Sequence, residues 1–567
     1  MAAGTGRLSL MIRAGRLIAL AVIAAMGAGA GAGAAGAQTH PLMLNGQVSD
    51  GGAGLRLDWP TAPRGMAQVF RRDLGQSGPQ TWQPVPRQPG TARLFTDDLP
   101  AGVAREYQVR IDGTRPATAV WAAGHQVPAL ADQGVALMVV DDTLADDLAT
   151  SLDLFQSDLT GAGYRVTRHL SPRAADDPAD NLGRAMALRR WITAQFRADP
   201  ETPHTVILIG HLPIVRTGRV NPDGHDPHAV PTDLFYADPD GFWPSAPGAD
   251  GTPQLIPGTL PADGIRMQIG RIDFALLDDR FGGELPLLRA YFDRNHRWRH
   301  GQVGDPRRAY AGSNHLMVER NAVNNIVGPD AVTAGGHHDT AGGGPYLIGV
   351  DFGQWGGGGY HALPPSEAAF TINFGSAKHR FDQRNNAMTA LLAQPGPLAV
   401  GWGGRPAWQL HGMALGESIG QAHLRTVNNG HASRGGLETR DYPANGNYDW
   451  LNPPWVNLLG DPTLRPFPLP PVRDAQARTT PQGTHLRWTL PDGAEGALIL
   501  RAEGDDPYRP LNGGALAATD YLDREPPPGA RYLIRASGLA QVHAGSFHRL
   551  AQGIAIAPDA PPFQPAP

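Results

Sequence analysis

The chain has 567 residues, a formal net charge of −5, 41% hydrophobic and 18% charged residues. That is too long for one core, and it predicts two to four globular domains. Cysteine is absent, which excludes disulfides, thiolate metal ligands and a cysteine nucleophile. Glycine (72) and proline (53) exceed a fifth of the residues, so many turns and long loops are expected.

The first residues read as a targeting segment. Arg7, Arg13 and Arg16 precede an apolar run from Leu17 to Met26, too short to span a bilayer. A Gly/Ala stretch then ends in Ala35-Gly36-Ala37 before Gln38, a small-x-small cleavage pattern. Met11 is an alternative start. The expectation is a signal peptide over 1–37 and a secreted, periplasmic or surface protein with no membrane span after signal removal. The segment holds three of the 48 basic residues and no acid, leaving 45 against 53, or −8. An acidic balance argues against nucleic acid as a partner.

The two ends resemble each other. Near the N-terminus stand "GLRLDWPTA", "AQVFRRD" and "LFTDDLPAGVAREYQVRIDG"; near the C-terminus stand "THLRWTLPDG", "ALILRAEG" and "YLDREPPPGARYLIRASG". Each set gives a strand ending on Trp (Trp59, Trp488), an Arg-bearing strand, an Asp element and a strand with an early Tyr (Tyr107, Tyr532). Period-two alternation between Pro/Gly/Asp turns predicts antiparallel sandwiches, with both tryptophans in their cores. The pattern resembles fibronectin type III domains, over 38–127 and 471–558, with a Pro-rich tail at 559–567.

The middle, 128–470, alternates buried strands with helices. "VALMVVDD" is followed by Leu144, Leu148, Leu152, Phe155 and Leu159 at helical spacing. "YRVTRHL", "TVILIGH", "RMQIGRID", "EAAFTINFGS" and "PLAVGW" read as further strands; "LGRAMALRRWITAQF" and "LPLLRAYFDRNHRW" read as helices. This predicts a mostly parallel α/β sheet. Functional groups are then expected at the carboxyl ends of the strands: Asp141-Asp142, His211, the Asp233–Asp240 loop, Ser376 and Trp402.

"TVILIGHLPIV", "PTDLFYADPDGFW", "MQIGRID" and "NLLGDPTLR", in that order, resemble the gingipain-type cysteine peptidases, which implies a caspase-like fold. That family needs a His in a Gly-His-Gly turn and a Cys at the end of the next strand. Here the turn is Gly375-Ser376-Ala377 and the strand ends Gly401-Trp402. Serine has no acid–base capacity near neutrality and tryptophan is no nucleophile, so the inherited mechanism is expected to be lost. Ser376, Lys378 (the only lysine), His379, Asp382, Trp402, Arg405, Trp408 and His411 still cluster in sequence there. They read either as a plugged, solvated remnant or as a binding pocket with an aromatic floor and Arg405 facing a polar or anionic group.

Other motifs carry less. "GESIG" matches a nucleophile elbow at Ser418, with His423 or His411 as base, yet its flanks read as helix. His225, Asp226 and His228, and His337, His338 and Asp339, are histidine-rich loops without a helical ligand spacing. In "YADPDG", Asp238 and Asp240 suit a calcium site or a plain turn, and the resemblance favours calcium. Trp355 and Tyr360 lie in a Gly-rich loop (352–363) that is expected to cover the pocket. The combined expectation is a pseudopeptidase-like protein with a binding or structural role at the cell envelope, its partner a protein or glycan. The alternative is a hydrolase of non-cysteine mechanism, using Ser376 or Ser418 with a histidine, or a histidine-bound metal.

Overall fold

The computed structural model describes residues 40–49, 51, 53–222, 227–249, 251–255, 264–312, 316–336, 340–352, 366–429, 442, 454–504 and 506–558. The alternating N-terminal segments form β1 (Asn45–Val48), β2 (Gly54–Asp58), β3 (Met66–Asp73), β4 (Leu94–Asp98), β5 (Val103–Asp112) and β6 (Ala117–Val127). β1, β2 and β4 make one sheet; β3, β5 and β6 lie in another. Their inward residues, including Leu44, Leu57, Val69, Tyr107 and Trp121, are fully buried, and Trp59 lies in this core as expected.

The middle of the chain builds the predicted alternation. Its elements are β7 (Gly134–Asp141), α1 (Ala149–Gly161), β8 (Tyr164–Ser171), α2 (Pro178–Ala198), β9 (His204–Ile209), β10 (Gln268–Ile272), α3 (Glu284–Arg299), β11 (Ala309–Ala311), α4 (Met317–Val327), β12 (Val332–Ala334), β13 (Tyr346–Phe352), β14 (Ala368–Phe374), α5 (Ala387–Leu392), β15 (Ala399–Trp402), α6 (Ile419–Val427) and β16 (Leu458–Gly460). The ten strands lie in the order β8-β7-β9-β10-β16-β15-β14-β13-β11-β12. Every neighbouring pair is parallel except β15 with β16. Strands covered on both faces need continuous apolar runs, and β9 and β14 are buried at every position. A small sheet of Val215–Val220, His228–Thr232, Ser245–Pro247 and Pro253–Leu255 sits on the β9–β10 connection.

The C-terminal segments form β17 (Arg473–Thr480), β18 (Gly483–Thr489), β19 (Gly496–Glu503), β20 (Asp520–Asp523), β21 (Ala530–Val542) and β22 (Gly545–Leu550). β17, β18 and β20 make a three-stranded sheet over a core that holds Trp488. The sequence repeat resolves into one motif used twice. Asp97 takes a charge-assisted bond from Arg71 (2.6 Å) and the Tyr107 hydroxyl (2.8 Å). Asp523 takes the same bonds from Arg501 (2.9 Å) and Tyr532 (2.7 Å). In each, an aspartate leading out of one sheet is tied to two strands of the other.

The two end domains are not separate, as the sequence suggested. β22 pairs in parallel with β6, Gly545 opposite Gly124 and Phe547 opposite Val127. This merges β3, β5, β6, β19, β21 and β22 with four short strands into one ten-stranded sheet. Gly545 has φ +119°, and a Cβ there would lie 1.9 Å from the Gly124 carbonyl oxygen, so only glycine allows the approach. α4 closes the remaining side of β6. Asn321 Nδ2 donates to Val120 O (2.9 Å), and Asn325 brackets Ala122, accepting from its N–H (2.8 Å) and donating to its carbonyl (2.9 Å). Among the described residues no helix is long and apolar enough to cross a membrane.

Candidate functional site

β14 ends at Phe374 and runs into the turn Gly375-Ser376-Ala377, where Ala377 has φ +59°. The turn carries the chain back so that Lys378 and His379 are buried. Lys378 Nζ donates to Asn373 Oδ1 (2.9 Å). Burial pushes its amine down to about 8, opposed only in part by the charge of Asp351. Asn386 holds the turn from below. Its amide donates to the carbonyls of Lys378 (3.1 Å) and Arg380 (2.9 Å), while its oxygen caps α5 at Met388 and Thr389.

Trp402, at the neighbouring strand end, is the floor of this place and also its filling. Its indole N–H donates to Gly375 O (2.9 Å), and its ring lies 5.3 Å from Phe374 and 4.9 Å from His379. Trp408 stands behind it, donating to Trp402 O (2.7 Å). A Cβ on Gly401 would sit 2.3 Å from the Trp408 ring, so the glycine is set by packing. The cavity left among Lys378, His379, Phe381, Trp402 and Trp455 is about 10 Å³, room for one water at most.

The other residues of the sequence cluster divide. His379 stays, its Nε2 3.1 Å from His228 Nε2. Asp382 stays, paired with Arg216 (2.6 Å). Arg405 lies over Phe374 (5.2 Å) and turns its carbonyl to Trp455. His411 does not stay. It is buried at the N-terminal domain, its Nε2 2.6 Å from Glu106 Oε1, because the chain passes from β15 into a 3-10 turn that docks on β5 and β6. Glu106 is fully buried there, facing Arg72 (2.5 Å), Arg425 (3.6 Å) and the Tyr442 hydroxyl (3.0 Å). Burial opposes its ionisation, yet His411 and the two arginines hold it down at about 2. Burial lowers His411 itself.

Ser418 is the N-cap of α6, accepting from Gln421 N (3.1 Å) and donating to Gln268 Oε1 (3.0 Å). It lies on no strand-to-helix elbow and among the described residues bonds no histidine, and His423 is spent on Val456 O (2.9 Å). Asp238 and Asp240 take different partners. Asp238 is buried and accepts from Trp243 Nε1 and Gly241 N (both 2.8 Å), and burial raises its pKa. Asp240 faces Arg197 (3.5 Å). Asp238 thus caps the Asp-Pro-Asp-Gly turn through Gly241 N. His225, Asp226, His337, His338, Asp339, Trp355 and Tyr360 lie outside the described residues.

Three arrangements escaped the sequence. At the ends of β9 and β10, His211 Nδ1 meets Asp273 Oδ2 (2.8 Å). Asp273 is held below its usual range by His211 and Arg271 despite burial. Arg271 in turn forks onto Asp233 (2.7 and 2.9 Å). His211 was among the residues expected at strand ends; its pairing with Asp273, 62 residues on, was not legible. The second is a cavity of about 430 Å³ where the three domains meet, lined by Leu130, Tyr164, Trp298, Arg465, Arg535 and Phe547 among others. Arg535 is buried and bonds only carbonyls, Ala551 O and Ala131 O (both 3.1 Å). Burial and nearby Arg465 push it down to about 9. The third, Asp158 with His296 and His300, is taken up below.

No family model matches the sequence, and no curated protein does. Among solved structures, the β-glucuronidase of Bacteroides uniformis is similar at 8% identity and a TM-score of 0.11, over 91% of this chain and 61% of that one. The chain thus spans under two thirds of that protein's length, and a likeness this small carries no argument about fold or activity.

Proposed function

We propose that this is an exported binding protein of the cell envelope, built on a gingipain-type, caspase-like domain that has given up cysteine-peptidase chemistry. Two fibronectin-III-like modules flank it. The observation that carries the reading is a contrast of volumes: about 10 Å³ at the old strand-end position, filled by Trp402, against about 430 Å³ at the three-domain junction. The modules are supported by their matching strand order, three strands facing a larger sheet, and by the repeated Arg–Asp–Tyr tie.

A junction cavity of that size suits a small ligand or the tip of a partner. Arg535, with no carboxylate within ion-pair distance among the described residues, favours an anionic group with an apolar body. Acidic peptides and carboxylated oligosaccharides are the probes. Calorimetry with residues 38–567 is expected to find a binder whose affinity falls at least tenfold in Arg535→Met and is unchanged in Ser376→Ala. Binding that ignores Arg535 but needs Ser376 or Trp402 returns the ligand to the strand ends.

One observation favours a second reading, a hydrolase of non-cysteine mechanism. The His211–Asp273 pair has the orientation of a general base with its orienting acid. A mixed peptide and ester library read by mass spectrometry separates the two. Hydrolysis that disappears in His211→Ala establishes the second reading; none leaves the first.

A further inference from the structure

We infer that Asp158, His296 and His300 form a zinc-type metal site on the outer helical layer. His296 lies in the last turn of α3 and His300 follows four residues on, so helical periodicity puts both imidazoles on one face. α1, packed alongside, presents Asp158 to them. Asp158 Oδ2 faces His296 Nδ1 at 2.9 Å and Oδ1 faces His300 Nε2 at 3.0 Å. The two rings lie 4.0 Å apart at 35°. All three ligand atoms fall within 4.8 Å of one another.

The spacing suits an ion. Tetrahedral ligands at about 2.0–2.2 Å from zinc lie roughly 3.3–3.5 Å apart, so each His–Asp distance opens by only a few tenths of an ångström. The exchange is chemically simple: each imidazole would coordinate through the ring nitrogen that faces Asp158, with its N–H on the other nitrogen. The nearest other charge, Arg299, is already neutralised by Asp461 (2.5 Å). Two nitrogens and one oxygen fit zinc and not calcium, which takes all-oxygen sets. The imidazole side chains keep 13% and 9% exposure, which leaves one side for water as fourth ligand.

The place also gives the ion a task. The loop after β22 bonds α1 beside the site: Gln552 Nε2 donates to Asp158 O (2.7 Å) and Gly553 N to Gly161 O (3.0 Å). An ion joining α1 to α3 therefore fixes the surface on which the C-terminal domain rests.

The test uses residues 38–567 stripped with chelator. Zinc titration by calorimetry is expected to give one ion per chain, and cobalt(II) the intense ligand-field bands of a four-coordinate site at the same stoichiometry. His300→Ala and His296→Ala should each lose at least about 100-fold in zinc affinity, while His228→Ala, at the other histidine pair, should lose none. Asp158→Asn keeps the shape and should lose the cobalt bands, so the test stands even if a histidine variant fails to fold. No zinc uptake by the wild-type chain overturns the inference. So does uptake that survives in His300→Ala and Asp158→Asn but vanishes in His228→Ala.

Discussion

Glu106→Gln tests how the N-terminal domain is fastened to the centre. The side chain is fully buried and faces Arg72, His411, Tyr442 and Arg425. Glutamine keeps the shape and removes the charge. Arg425 still has Glu417 at 2.6 Å. Arg72 also holds the Thr81 hydroxyl, Tyr442 and the ring of Trp82 at 4.1 Å. Removing the carboxylate breaks the buried Arg72–Glu106 ion pair, which costs about 3–5 kcal/mol. Hydrogen exchange read on peptides covering 66–73 and 103–112 measures this locally, without assuming that three domains unfold together. A loss under about 1 kcal/mol would refute the argument. Acid acts in the same direction. The folded chain holds Glu106 at about 2 against a free value of 4.5, and holds His411 below its free value of 6.5. In both cases the unfolded chain binds the proton first, so stability is full above 6.5, starts to fall below it, and falls again from 4.5 towards 2. Glu106→Gln should lack the lower branch.

Three further outcomes are expected. Gly401→Ala forces a methyl group onto the Trp408 ring and should destabilise the central domain by about 1–3 kcal/mol, read as a lower denaturant midpoint; an unchanged midpoint would mean that the tryptophan moves freely. Lys378, the only lysine, should resist an amine-acylating reagent in the native protein and react in denaturant, read by mass on its tryptic peptide; fast native labelling would contradict its burial. Arg535→Met should leave the unliganded protein as stable or raise its denaturant midpoint, because burying an unpaired cation is costly; a clear drop would mean that its bonds to Ala131 and Ala551 outweigh that cost.

Much of the architecture was legible because it rests on local pattern. The apolar runs at 135–141, 205–209 and 368–374 became strands, and Leu152, Phe155 and Leu159 became the buried face of α1. The paired ends were legible because Arg, Asp and Tyr recur in the same order. Contacts made across long separations were hidden. His411 stands three residues from Trp408, so sequence grouped it with the strand ends, while its true partner is 305 residues away. Asp158 lies 138 residues from His296; only the i, i+4 spacing of His296 and His300 carried a signal. The merging of two sheets had none, since an edge strand's pairing leaves no periodicity of its own.

The β6–β22 contact sets the order in which this chain can finish folding. Gly124 and Gly545 are 421 positions apart, so the N-terminal module leaves the ribosome, and any exporting channel, long before its edge strand has a neighbour. Until then the unpaired backbone of β6 is open to the wrong partner, another copy included. β22 therefore acts as a completion seal: a chain cut short before it leaves that margin of β6 open, and a chain that includes it closes the margin itself.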